Sequence, residues 1–230
     1  MDHMPAAGRS GGVVSLWDPN IFKVQDSIKH PNFLLSVGVM KGSNKAVNVI
    51  NVYTPQNVTQ KKSLWDVIGG LLGSMSGRWV ILGDFNAVRC LEEMMNSKFN
   101  KKCASNFNNF IIYNGLREFD MKGMKFTYHN NKGNKHSKID WVLVCLEVFS
   151  EWPVACLRAL PRVHSDHRPL VLSCSNKNFG SNPFKFFNSW LDRKDFNEVI
   201  KKATDNFHGI EDSDVRLMEK FKRIRDDIKV

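Results

Sequence analysis

The segment Val80-Ile81-Leu82-Gly83-Asp84-Phe85-Asn86 is apolar up to a glycine and then offers two polar side chains two residues apart. On an extended backbone, residues i and i+2 share a face, so Asp84 and Asn86 emerge together at a strand end. A carboxylate brings charge and basicity, and an amide brings both a donor and an acceptor. Such a pair can hold a water and a metal-bound phosphate oxygen. An Asx-rich turn closing a strand has the same composition. A second cluster, Ser137-Lys138-Ile139-Asp140-Trp141-Val142-Leu143-Val144, sets a single acid inside an apolar strand. Burying a carboxylate alone is costly, so Asp140 needs a partner. The third cluster, Val163-His164-Ser165-Asp166-His167-Arg168-Pro169-Leu170-Val171-Leu172, supplies one, and a pairing of Asp140 with His167 is the natural expectation. The alternative is that backbone amides cap Asp140 and His167 is a plain turn residue.

These residues need strands to carry them. Val13 to Trp17, Phe33 to Met40 and Ala46 to Tyr53 are β-branched and aromatic, with Pro, Asn, Gly and Lys between them, and read as three strands. Leu64, Val67, Ile68, Leu71 and Leu72 recur at helical spacing within Val58 to Leu72, ahead of a short buried strand, Trp79 to Leu82. Cys103 to Phe119 repeats the helical pattern, and Lys125 to His129 alternates. Ile139 to Val144, Val154 to Leu160 and Pro169 to Ser173 read as further strands. Many strands with few helices between them predict an α/β sandwich of packed mixed sheets and not a regular βαβ repeat. The texture changes near residue 176. Domains are therefore expected at 1–175 and 176–230, with a Ser, Asn, Gly and Pro linker at 175–183 and tail helices over Asp195 to Phe207 and Asp214 to Ile228.

Taken in order, G-D-F-N, S-K-I-D-W-V-L and S-D-H-R-P-L, each at a strand edge, resemble the endonuclease/exonuclease/phosphatase superfamily that includes DNase I and apurinic endonucleases. Val49-Ile50-Asn51-Val52-Tyr53-Thr54-Pro55 looks like that family's strand ending in Tyr-x-Pro. The opening Gly11 to Asp18 and the tail Pro183 to Leu191 resemble segments of LINE-type non-LTR retrotransposon polyproteins, especially those of plants. The resemblance spans about residues 11–210 and implies a DNase I-like, four-layer α/β sandwich of two mixed sheets flanked by helices.

It also implies roles. Asp84 would orient or deprotonate the attacking water, and Asn86 would position it and bind the scissile phosphate. Tyr53 would steady the phosphate or the leaving oxygen. Asp140 would fix His167 so that the imidazole reaches a phosphate oxygen, and Asp166 would help bind a divalent cation. Magnesium is expected and manganese is possible, because hard oxygen ligands and a phosphate substrate favour them. Gln56 would join Asn86 and His167 on the phosphate, at a place where related nucleases often carry Asn. Two features of the family are missing: an Asn near the end of the first strand and a metal-binding Glu upstream of Tyr-x-Pro. The first glutamate of the chain is Glu92, beyond G-D-F-N. The resemblance thus implies a domain lacking its first strands, with impaired hydrolysis.

The bulk composition agrees with a polyanionic partner. The 230 residues carry a net charge of +10 and a pI near 9.4. Residues 89–138 hold Arg89, Lys98, Lys101, Lys102, Arg117, Lys122, Lys125, Lys132, Lys135 and Lys138 against Glu92, Glu93, Glu118 and Asp120. DNA is the expected partner, nicked to prime reverse transcription, with a reverse transcriptase domain expected in cis although no Tyr-x-Asp-Asp motif occurs in this chain. A phosphatase for small phosphate esters or phosphoinositides and a catalytically dead nucleic-acid-binding remnant are the competing readings. No apolar run of about 18 residues and no signal sequence is present, so no membrane partner and an intracellular place are expected, nuclear if the protein acts on chromosomal DNA. Five cysteines without a C-x-x-C pair read as reduced thiols.

Overall fold

The computed structural model describes residues 1–6, 11–130, 132–174, 196–205 and 221–222. Two units divide the chain, Met1–Asn176 and Lys177–Val230. In the second unit α4 covers Phe196–Asp205, within the expected first tail helix. The 175–183 linker, and Asp214 to Ile228 apart from helical Phe221 and Lys222, lie outside the described residues.

The first unit is organised by strands that are apolar on both faces. β6 (Arg78–Asp84) and β12 (Asp140–Val144) are near-continuous hydrophobic runs because each sits inside a six-stranded sheet. That sheet runs β3 (Phe22–His30), β4 (Phe33–Met40), β5 (Lys45–Tyr53), β6, β12, β8 (Arg117–Glu118). Only β5 and β6 run parallel; the other pairs are antiparallel. The period of two sorts their side chains. Trp79, Ile81, Trp141 and Leu143 face α1 (Val58–Ser74) and α2 (Lys101–Tyr113), joining Leu64, Trp65, Ile68, Phe107 and Phe110 in one core. Val80, Leu82, Val142 and Val144 face the other way, onto Leu157, Leu170 and Leu172. These belong to a second sheet, β14 (Leu170–Ser173), β13 (Cys156–Ala159), β9 (Met121–Gly123). The result is the expected sandwich of packed mixed sheets with helices outside. A small sheet of β10 (Tyr128–His129), β11 (His136–Ser137) and β7 (Met94–Met95), and a hairpin of β1 (Asp2–Met4) with β2 (Val13–Ser15), complete the strands described.

Several elements differ from expectation. β3 was not foreseen, because a register shift between Val24 and Asp26 interrupts its alternation and leaves a polar-looking sequence. The helix expected to reach Phe119 stops at Tyr113: Gly115 turns to a φ of 61°, Leu116 N–H bonds the Ile111 carbonyl, and the chain bends into β8. A further helix, α3 (Leu146–Glu151), follows β12 and buries Val148 in the second core. Lys125 to His129 contributes a strand only at its last two residues.

Candidate active site

The three motifs meet in one row. Tyr53 pairs in register with Asp84 across the parallel β5 and β6, and Asp84 pairs with Asp140 across β6 and β12. Side chains directly opposite on neighbouring strands share a face, so a tyrosine and two carboxylates stand side by side, on the face that carries Val80 and Leu82. The glycine before Asp84 makes this approach possible. Gly83 has a φ of 129°, and a Cβ there would lie 2.1 Å from the Val52 carbonyl oxygen. The strand ends are then tied together: Thr54 N–H donates to the Asp84 carbonyl at 2.8 Å, and Phe85 N–H to the Ile139 carbonyl at 2.9 Å.

Past Asp84 the chain turns sharply, with Asn86 left-handed at a φ of 47°. The turn is closed by its own polar groups. Asp84 Oδ1 accepts from Asn86 N–H at 2.8 Å, while the Asn86 amide nitrogen donates to the Thr54 carbonyl at 2.8 Å and to Asp84 Oδ2 at 3.1 Å. Gln56 donates to Asn86 Oδ1 at 2.8 Å. The Asx-turn reading of these residues therefore holds, and the same two side chains border a cleft. Phe85 and Ala87 are buried, and the Trp141 indole N–H donates to the Ala87 carbonyl at 2.9 Å, anchoring the turn from below.

The expected dyad is formed. His167 Nδ1 lies 3.0 and 2.9 Å from the two Asp140 oxygens, leaving Nε2 as the ring's remaining nitrogen. Asp140 is positioned by fully buried Thr127, whose hydroxyl oxygen accepts from both Ile139 and Asp140 N–H at 3.0 Å. His167 is placed by the same segment, since Arg168 N–H bonds the Thr127 carbonyl at 2.7 Å and the Tyr128 ring lies 5.1 Å from the imidazole. Hydrogen bonding to Asp140 raises the His167 pKa above its ordinary value, against burial. Burial first, and then the neighbouring Asp140 charge, push Asp84 up to about 6, although Asn86 N–H, His167 and Lys61 act in the opposite direction. A carboxylate poised near neutrality in a cleft suits proton transfer.

Tyr53, Gln56, Asp84, Asn86, Asp166 and His167 all border one cleft of about 540 Å³, with Lys61, Lys98, Cys103 and Tyr128 also on its wall. Asp140 stands behind His167. Lys61 is the residue that sequence reasoning overlooked, although it left a signal: it interrupts the helical stripe Val58, Leu64, Trp65, Ile68 and is only 5% exposed. Lys138 of the second motif proves structural, 2.8 Å from Glu118 and 4.0 Å from the Trp141 ring centre.

The donor set does not fit a resident divalent ion held by protein alone. Among the described residues no group of three or more His, Cys, Asp or Glu side chains is arranged so that it could hold a metal ion. Both Asp84 oxygens accept from Asn86, Asp140 is committed to His167, and Asp166 is an exposed side chain whose only described hydrogen-bond partner is Ser165, at 3.5 Å.

This arrangement belongs to a recognisable class of fold. An endonuclease/exonuclease/phosphatase protein from Bacteroides vulgatus superimposes with a TM-score of 0.54 at 14% identity, over 74% of each chain. An AP endonuclease from Leishmania major matches at 0.50 and 12% identity, over 63% of this chain and 55% of its own. The endonuclease domain of TRAS1, a telomere-specific non-LTR retrotransposon, matches at 0.49 and 17% identity, over 64% of this chain and 65% of its own. At the level of sequence, the endonuclease-reverse transcriptase family matches residues 47–171, more than half of the chain, and the protein belongs to that family. Curated protein sequences give no match.

Proposed function

We propose that the chain hydrolyses phosphodiester bonds of DNA as the endonuclease part of a retrotransposon protein, acting in the nucleus ahead of a reverse transcriptase domain, and that its rate is low. The observation that carries this reading is the row Tyr53, Asp84, Asp140 with His167 behind it, opening on a cleft bordered by Lys61 and Lys98. In this reading Asp84 takes the proton of the attacking water, and its elevated pKa lets it do so near neutral pH. His167, oriented by Asp140, donates from Nε2 to a phosphate oxygen. Tyr53 stands beside Asp84 to contact the phosphate, with Gln56 and Asn86 bordering the same cleft. Magnesium, or manganese in its place, is the expected cofactor and Asp166 its expected protein contact, but the donor set supplies too little to hold it without substrate.

Eight of the ten basic residues of the 89–138 segment are exposed, Arg89 and Lys138 being the exceptions, which suits a phosphate-tracking surface. A second reading, binding without catalysis, is favoured by the saturated Asn86 amide, which must surrender a hydrogen bond to touch phosphate. Nicking of supercoiled plasmid decides between them. The expected result is slow nicking in magnesium or manganese that is abolished by chelation and by His167→Ala. Plasmid binding with no metal-dependent nicking at any protein concentration would establish the second reading.

A further inference from the structure

A lysine buried to 5% exposure must find polar partners, because an uncompensated ammonium in an apolar stripe costs several kcal/mol. Lys61 rises from the first turns of α1, between Val58 and Leu64, and its ammonium donates to the Asn86 carbonyl, with Cys103 Sγ 3.9 Å away. Asn86 is the residue under backbone strain, at a φ of 47°. Its side chain is bonded to Thr54 and Asp84 and accepts from Gln56, and its N–H is bonded to Asp84. The Lys61 bond is the one that ties the turn's carbonyl to α1. Lys61 borders the same cleft as Asp84 and His167, and its charge, like that of His167 and against that of Asp140, favours the ionised Asp84.

We propose that Lys61 is a positioning residue of the Asp84 site: through the Asn86 carbonyl it holds the Asp84–Asn86 turn to α1 and keeps an ammonium in the cleft that Asp84 borders. A site with few carboxylates and no closed metal cage then has a built-in cation beside its base. Within the sequence motifs the Asn86 N–H and His167 also favour the ionised Asp84, but neither ties the turn to α1. The proposal draws on the hydrolytic reading for its activity arm alone.

The test uses the full chain and nuclear magnetic resonance. In the unaltered protein, the Lys61 Nζ resonance is expected to inflect at the pH where the Asp84 carboxyl titrates, and Asp84→Asn should remove that inflection. In Lys61→Met the Asp84 midpoint should rise by about half a pH unit or more, with Lys61→Arg returning it toward the original value. In plasmid nicking, Lys61→Met should shift the rising limb of the pH profile upward in step with Asp84 and lower the rate about tenfold. A Lys61 resonance that stays flat while Asp84 titrates overturns the proposal, and needs no variant that folds. An Asp84 midpoint unmoved in a folded Lys61→Met protein overturns it equally. If the inflection is present but the unaltered protein never nicks, the hydrolytic reading falls and the Lys61 assignment stands.

Discussion

Asp84 and His167 depart from their ordinary ionisation in the same direction for opposite reasons. For Asp84 the driving cause is burial, which penalises the charged form, and the folded pKa of about 6 lies above the ordinary 3.8. The unfolded chain then releases this proton first, so the fold loses stability as pH rises from about 4 to 6. Asp84→Asn should remove that loss, which denaturant unfolding at pH 4 and pH 7 would show as a smaller difference between the two. The same substitution should lower any nicking at least about 100-fold, and the unaltered protein's rate should climb through pH 6 as the carboxylate ionises. For His167 the cause is the Asp140 hydrogen bond, so the protonated form is the favoured one. Its contribution is fully present below about pH 6.5 and is lost as pH rises through the elevated folded value. Asp140→Asn should lower the His167 midpoint in a histidine-resolved titration; an unchanged midpoint would mean that the pair is geometric only.

At the scale of elements, the site depends on how closely β5 and β6 approach. Gly83 allows the parallel pairing Val52 with Gly83 and Tyr53 with Asp84 to persist to the strand ends. A methyl group there would collide with backbone, at 2.1 Å from the Val52 carbonyl oxygen, and would be strained at a φ of 129°. Gly83→Ala should therefore cost about 3 kcal/mol or more and separate the two strand ends. Thermal unfolding measures the first effect, and loss of the Lys61 and Asp84 coupling measures the second. A Gly83→Ala protein of ordinary stability would show that the strands can slide to accommodate the methyl group.

For the molecule as a whole, charge distribution matters more than its total. The exposed basic residues Lys98, Lys101 and Lys102 lie at and just before the start of α2, and Lys98 borders the cleft. DNA binding through such residues releases counterions, so affinity for duplex DNA should fall steeply between 50 and 200 mM salt, with a log–log slope near −0.9 per phosphate contacted. Replacing Lys98, Lys101 and Lys102 together by Gln should make that slope shallower by about three. A slope that does not change would place the DNA on another face. No helix among the described residues is long and apolar enough to cross a membrane.

Local chemistry determined much of this in advance. G-D-F-N, S-K-I-D and S-D-H-R-P could be placed at strand edges because apolar runs stop abruptly at Asp84 and begin abruptly after Asp140 and Pro169. The partner of Asp140 was legible because a lone carboxylate in an apolar strand has to be compensated. Tertiary structure alone decided the rest. Which face each motif shares depends on register across β5, β6 and β12, and register is a property of pairs of strands, not of one. β3 stayed hidden because its bulge breaks the alternation that a sequence displays. Lys61 could not be assigned beside Asp84, 23 positions away in the chain, because its stripe on α1 shows only that it is buried. Folding α1 over the end of β6 is what turns a misplaced lysine into a neighbour of the Asp84–Asn86 turn.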